Sequence, residues 1–161
     1  MIIREALSND MHQVLNLIKE LATFEKEPNA VVITEEDLIN DGFLQNPPLF
    51  FCYVAELNNE IIGMALCYYR YSTWKGKTIH LEDLIVKENM RGCGAGFALY
   101  EKVLKKAYEE KVRRVEWAVL DWNTSAIKFY ERTGAKVLND WRTVNIDEKG
   151  INYFINHILQ Q

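Results

Sequence analysis

The chain has 161 residues, 48% of them hydrophobic and 12% aromatic, with a net charge of −4. That length and composition fit one folded domain over residues 1–161 and exclude a disordered chain. The acidic balance speaks against nucleic acid as a partner and suits a small cationic one.

In chain order, Ile2-Ile3 begins a strand. "SNDMHQVLNLIKELATF" follows as a helix: Ser8 or Asn9 caps it, and Met11, Val14, Leu15, Ile18, Leu21 and Ala22 recur at helical spacing. Thr34 and Asp37 form a capping-box pattern for a shorter helix that Gly42 is placed to end. Pro47-Pro48 forbids regular structure before the next element. "LFFCYVAEL" and "EIIGMALCYYRY" are β-rich runs on either side of Asn58-Asn59, a hairpin turn pair. "KTIHLEDLIV" predicts a further long strand, and a glycine loop then leads into a helix from about Ala95 to Glu110. "RRVEWAVL" reads as a strand, "NTSAIKFYERTG" as a helix stopped by Gly134, "AKVL" and "WRTVNID" as closing strands, and the tail from Ile151 to Gln161 as a short helix. The order gives a mixed α/β chain without the regular alternation of a doubly wound fold.

Three scattered histidines and three cysteines without a C-x-x-C make no metal-ligand pattern, so no metal is expected. The odd cysteine count and the absence of a signal-peptide core suggest reduced thiols in a cytoplasm. Apolar runs are too short to span a bilayer, and no membrane partner is expected.

The glycine loop, "RGCGAG" from Arg91 to Gly96, carries the chemistry. A nucleoside-triphosphate loop needs Lys and Ser/Thr after its second glycine, where this chain has Phe97-Ala98. A dinucleotide fingerprint needs a third glycine where this chain has Phe97. What remains is Arg91-x-x-Gly94-x-Gly96 between a strand and a helix. There the backbone N–H groups and the positive helix end can meet one oxyanion. A plain glycine-rich turn is the alternative. Arg91 adds a charge-assisted contact or a salt bridge within the loop.

That arrangement resembles the pyrophosphate site of the GNAT superfamily of acetyl-CoA-dependent N-acetyltransferases. "YSTWKGKTIHLEDLIV", "RGCGAG" and "AVLDWNTSAIKFYERTGA" are similar to its spermidine/spermine branch, and most similar to the thialysine N-ε-acetyltransferases. The likeness covers roughly Ile2 to Asn145. It implies a GNAT fold with a mixed, mostly antiparallel, splayed sheet flanked by helices, together with a homodimer and acetyl-CoA as cosubstrate.

The resemblance also implies roles. Acetyl-CoA would lie against Leu84, Ile85 and Val86, along Arg91, Gly92, Cys93, Gly94, Ala95, Gly96 and Phe97, and near Asn123, Thr124, Ser125 and Ala126. Asn123 is at the same time a helix cap. Phe24, Glu25, Glu82, Glu116, Trp117 and Ala118 would line the amine pocket, with Tyr130 beside the thioester sulfur. Lys26 stands where polyamine-acetylating relatives are more acidic.

The reaction needs a neutral amine, and a lysine-like ammonium costs roughly 4–5 kcal/mol to deprotonate at pH 7. A carboxylate such as Glu82, directly or through water, addresses that barrier. Strand alternation puts Asp83 on the opposite face, where it reads as a salt-bridge or loop-ordering residue. His80 shares the face of Glu82, as a relay partner or simply as a polar rim residue. Tyr130 would assist the departing thiolate, mainly as a hydrogen-bond donor, and Phe129 and Tyr130 can also be plain packing residues. A small primary amine is the first substrate class. Acetylation of a protein lysine or amino terminus, or acyl-CoA sensing without catalysis, are the alternatives.

Overall fold

The computed structural model describes Met1–Leu159 and divides the chain into two compact units, Met1–Leu120 and Asp121–Gln161. The first holds one five-stranded sheet in the order β1-β2-β3-β4-β5, with β1 Ile2–Glu5, β2 Phe51–Leu57, β3 Glu60–Ser72, β4 Gly76–Val86 and β5 Val115–Glu116. β1 to β4 pair antiparallel, and β4 and β5 pair parallel. The mixed, mostly antiparallel sheet is the one expected.

The β2–β3 hairpin turns at Asn58-Asn59, both at positive φ (53° and 63°). Asparagine tolerates that conformation and a two-residue hairpin turn demands it. On one sheet face Val54, Met64, Leu66 and Ile85 pack with Met11, Val14 and Leu17 of α1 (Met11–Phe24) and with Leu38 of α2 (Glu35–Ile39). α3 (Ala95–Glu109) buries Leu99, Tyr100, Val103 and Ala107. Its C-terminal end is tied to the sheet through Glu110, which accepts from Tyr69 Oη at 2.7 Å and pairs with Lys77 of β4 at 2.7 Å.

Local readings of the helix ends succeed where the cap is a side chain. Thr34 and Asp37 exchange the expected capping-box bonds. At α1 neither Ser8 nor Asn9 caps. A 3₁₀ turn, Ser8–Asp10, comes first, and Asp10 accepts from Leu7 N at 2.7 Å while a double contact to Arg4 holds its carboxylate. The Arg4 side chain reached it from β1, which is why the spacing alone did not reveal it. Leu17, absent from the periodic reading, is fully buried, while Leu15, Ile18 and Leu21 are only partly so. Gly42 does not end the second helix, because a wide helical turn carries it on to Leu44.

The late strands are corrected. "RRVEWAVL" keeps only Val115–Glu116 as strand, and residues 135–138 and 141–147 form no strand among the described residues. β-propensity marks a chain that can pair, but a strand exists only where a neighbour supplies the ladder. The second unit consists of α4 (Thr124–Arg132), α5 (Glu148–Tyr153) and a wide helical turn, Phe154–Ile158. Asn123 caps α4 through Ala126 N at 3.2 Å, as expected, and Gly134 follows it at φ +91°. The tail is helical from Glu148, capped by Asp147. Gln160 and Gln161 lie outside the described residues. No helix among the described residues is long and apolar enough to cross a membrane.

Candidate active site

The site is built on β4 and the loop that leaves it. β4 and β5 pair only at Ile79–Val115 and His80–Glu116. Beyond His80 they separate, and no ladder joins Glu82–Val86 to residues 117–120 among the described residues. Lys87 N donates to Ile62 O on the β3 side at 2.9 Å. By alternation Leu84 and Val86 turn their backbone groups to the open edge, and Ile85 turns its own to β3. Ile85 is buried in the core facing α1.

A β-bulge interrupts β4 at its carboxylates. Leu66 pairs with Asp83 and Cys67 with Leu81, leaving Glu82 as the extra residue. The bulge overturns the alternation argument. Asp83 stands opposite Leu66 and so shares the α1-facing side of the sheet with His80, which stands opposite Tyr68. Nor is Asp83 a salt-bridge residue: no ion pair or hydrogen bond reaches its carboxylate among the described residues. Burial, then the charges of Glu82 and Glu25, push its pKa up to about 6. Burial also raises Glu25, at the C-terminal end of α1. Glu25, Glu82 and Asp83 therefore make one local concentration of negative charge.

His80 lies on the same side as Glu82, as the strand reading expected, with Nε2 3.4 Å from Glu82 Oε2. Its ring lies 5.0 Å from that of Tyr68. Burial, then the charge and hydrogen bonding of Glu82, raise the Tyr68 pKa. Glu116, in register with His80 on β5, sits between two cations, 2.8 Å from Arg70 Nη1 and 2.9 Å from Arg114 Nε. These are ion pairs by distance but not aligned hydrogen bonds, since Arg114 Nε and Glu116 Oε1 are buried without a hydrogen-bond partner. The sequence marked Glu116 as a pocket residue; its charge is already engaged. Trp117 packs edge-on to Tyr100 of α3 at 5.7 Å, and Ala118 lies in the unpaired stretch beyond β5.

The glycine loop follows a single 3₁₀ turn, Glu88–Met90. Gly92 (φ +82°) and Gly94 (φ +88°) are left-handed, and a Cβ on either would meet nothing within 4 Å. The concave side is therefore open. The first helical bond of α3 runs from Ala98 N to Gly94 O at 3.0 Å. The turn before it, Ala95 to Phe97, aims its N–H groups along the helix axis. An amide-lined turn with open space above it and a helix dipole behind it fits a phosphate group. Cys93 is exposed on the same loop. Arg91 forms no ion pair among the described residues. Its Nε contacts Val86 O at 3.4 Å and its guanidinium lies 5.1 Å from the Phe24 ring centroid. The contact joins a residue expected at the cosubstrate to one expected at the amine.

In the second unit Tyr130 is the buried residue of α4 and its ring meets Phe129 edge-on at 5.2 Å. Thr124, Ser125 and Ala126 form the first turn of α4.

A profile of the acetyltransferase (GNAT) family matches residues 11–135, most of the chain. The chain belongs to the GNAT family of acetyltransferases. It is 40% identical over 146 residues to the thialysine N-ε-acetyltransferase of Bos taurus, covering 86% of this chain and 85% of that one. It is 35% identical over 140 residues to the human spermidine/spermine N(1)-acetyltransferase-like protein 1, covering 83% of this chain and 20% of that protein. An integron cassette protein of V. cholerae has the same fold, with a TM-score of 0.77 at 20% identity over 96% of this chain and 97% of its own.

Proposed function

We propose that the protein transfers an acetyl group from acetyl-CoA to a primary amine of a small cationic substrate, thialysine or a similar lysine-like amine, short diamine or polyamine. The observation that carries this reading is the carboxylate group of Glu82 and Asp83 on a strand whose edge opens just before an amide-lined glycine loop, with Glu25 at the end of α1 close enough to raise the Asp83 pKa. The names of the bovine and human relatives support the amine class. The family profile crosses both compact units, which supports one catalytic domain over residues 1–161.

In this reading Arg91 to Phe97 hold the pyrophosphate, Leu84 to Val86 supply backbone contacts, and Asn123 to Ala126 add contacts from α4. When bound, acetyl-CoA supplies the activated thioester. Glu82 accepts the ammonium proton, directly or through water, so that a free lone pair faces the thioester. Phe24 and Glu25, with Trp117 and Ala118, line the amine side, and Glu116 acts there through Arg70. Tyr130 Oη donates to the developing thiolate; full proton transfer from a phenol to a thiolate would be uphill by roughly 2 kcal/mol. We also assign the protein to the cytoplasm, with no nucleic acid, membrane or metal partner. A homodimer is supported by resemblance and by the exposed Leu138, Trp141, Val144 and Ile146.

Thiol release from acetyl-CoA, measured over thialysine, lysine, short diamines, spermine and a lysine peptide, tests the reading. Two or three carboxylates at a partly exposed site match one remote positive charge better than the several of spermine. Thialysine is therefore expected to exceed spermine several-fold in kcat/KM, about 1 kcal/mol, in a salt-sensitive way. A tenfold advantage for spermine replaces this with a polyamine specificity. Acetylation of the peptide alone would make a protein lysine or amino terminus the substrate. Acetyl-CoA binding without any transfer would make the protein a sensor.

A further inference from the structure

His80 has different neighbours at its two ring nitrogens. Nδ1 lies 3.3 Å from Arg70 Nη1, and Nε2 lies 3.4 Å from Glu82 Oε2. A guanidinium has only donors and stays charged, so the Nδ1 facing it must offer its lone pair. A neutral imidazole carries its proton on the other nitrogen, which puts the N–H on Nε2, toward the Glu82 carboxylate. Arg70 is itself held by Glu116, 2.8 Å away, and Glu116 by Arg114, 2.9 Å away. The chain of contacts therefore runs from β5 through β3 to the bulge of β4. We infer that His80 is a positioning residue, a neutral imidazole locked by the Arg70–Glu116 pair so that its Nε2–H holds the Glu82 carboxylate toward the amine. The inference rests on the reading of Glu82 as the amine-facing carboxylate.

The same geometry argues against a relay. To take a proton from Glu82, the ring needs a lone pair at Nε2, and in this tautomer that nitrogen already bears hydrogen. Protonating Nδ1 instead would set an N–H against a guanidinium. Every charged or titratable group facing the ring bears on its state: Arg70 and Tyr68 from β3, Glu82 from β4, Glu116 from β5. Burial, and then Arg70 against the opposing pull of Glu82 and Glu116, leave the ring harder to protonate than an ordinary histidine. A neutral donor leaves the negative charge of Glu82 available to a cationic substrate, where an imidazolium would cancel it.

Nitrogen-15 NMR of the wild-type protein reads the tautomer with no substrate present. His80 should show N–H at Nε2 and a bare Nδ1, and should stay neutral below the pH at which an ordinary histidine titrates. In kinetics, His80→Phe should raise the amine KM roughly five-fold, the worth of about 1 kcal/mol of polar contact, with acetyl-CoA KM unchanged. His80→Gln, which can place an amide N–H near the Nε2 position, should restore most of that loss. Arg70→Leu should release Nδ1 and move the acidic limb of the kcat/KM profile to higher pH. An Nδ1–H tautomer, or ordinary titration in the wild type, overturns the inference. So does an equal loss of kcat in His80→Phe and His80→Gln at unchanged amine KM, which is the signature of a relay. If no amine is acetylated, the proposed function fails, while the NMR result still decides the tautomer.

Discussion

The glycine loop and the bulged stretch of β4 lie next to each other in the chain and offer ligands opposite things. Arg91 to Phe97 presents backbone amides with almost no side chain in the way. His80 to Asp83 presents side chains, and their directions depend on a register slip against β3. A backbone site tolerates little variation in residue type, because the conformation itself is the ligand. A side-chain site can be retuned by substitution, because its scaffold is a strand that many residues can occupy.

The sharpest way to break this contrast is at Gly94. A β-branched side chain at φ +88° is strained by about 1–2 kcal/mol and its methyls enter the open side of the loop. Gly94→Val should weaken CoA binding by on the order of 3 kcal/mol, roughly a hundredfold by calorimetric titration, while the protein remains folded. Unchanged affinity in a folded variant would move the cosubstrate away from this loop.

Next in size is Asp83. Its folded carboxyl titrates at about 6, above the unfolded value near 3.9, because burial and two neighbouring carboxylates oppose its charge. The folded state then binds this proton more tightly than the unfolded state does. Wild-type stability should fall as pH rises from about 4 through about 6, and the deficit should persist above that. Asp83→Asn has no such charge to bury. It should unfold later than wild type in urea at pH 7.5, by on the order of 2 kcal/mol, with the difference gone by pH 4. A variant no more stable than wild type at pH 7.5 would mean that Asp83 has a compensating partner.

The smallest effect belongs to Glu25. Glu25→Gln removes one of the three negative charges, at an exposed position at the end of α1. It should raise the amine KM by about 1 kcal/mol, several-fold, and leave the acetyl-CoA KM unchanged. Equal changes in both constants would erase the separation between backbone and side-chain sites.

The two sites were unequally legible for the same reason. Gly92, Gly94, the capping pair Thr34–Asp37, the turn Asn58-Asn59 and the cap Asn123 are local. Each satisfies a demand set by the few residues around it, so spacing reveals it. The bulge at Glu82 is not local. It exists only in the comparison of β4 with β3, and without it a period of two put Asp83 on the wrong face. The Arg70–His80 contact joins residues whose spacing carries no helix or turn signal. The closing strands failed likewise: "WRTVNID" has the residues of a strand, but its conformation is settled by what lies beside it.

Gly92 and Gly94 also have a thermodynamic consequence for the molecule as a whole. A glycine in the unfolded chain samples both halves of φ space, and folding confines these two to the left-handed half, an entropy loss larger than that of any other residue type. No neighbouring atom lies where a side chain would begin, so no packing inside the loop offsets that loss. The ordering entropy of the turn therefore falls on folding rather than on ligand binding. An incoming phosphate meets amides that are already aligned, and its affinity is not reduced by the disorder it would otherwise have to remove.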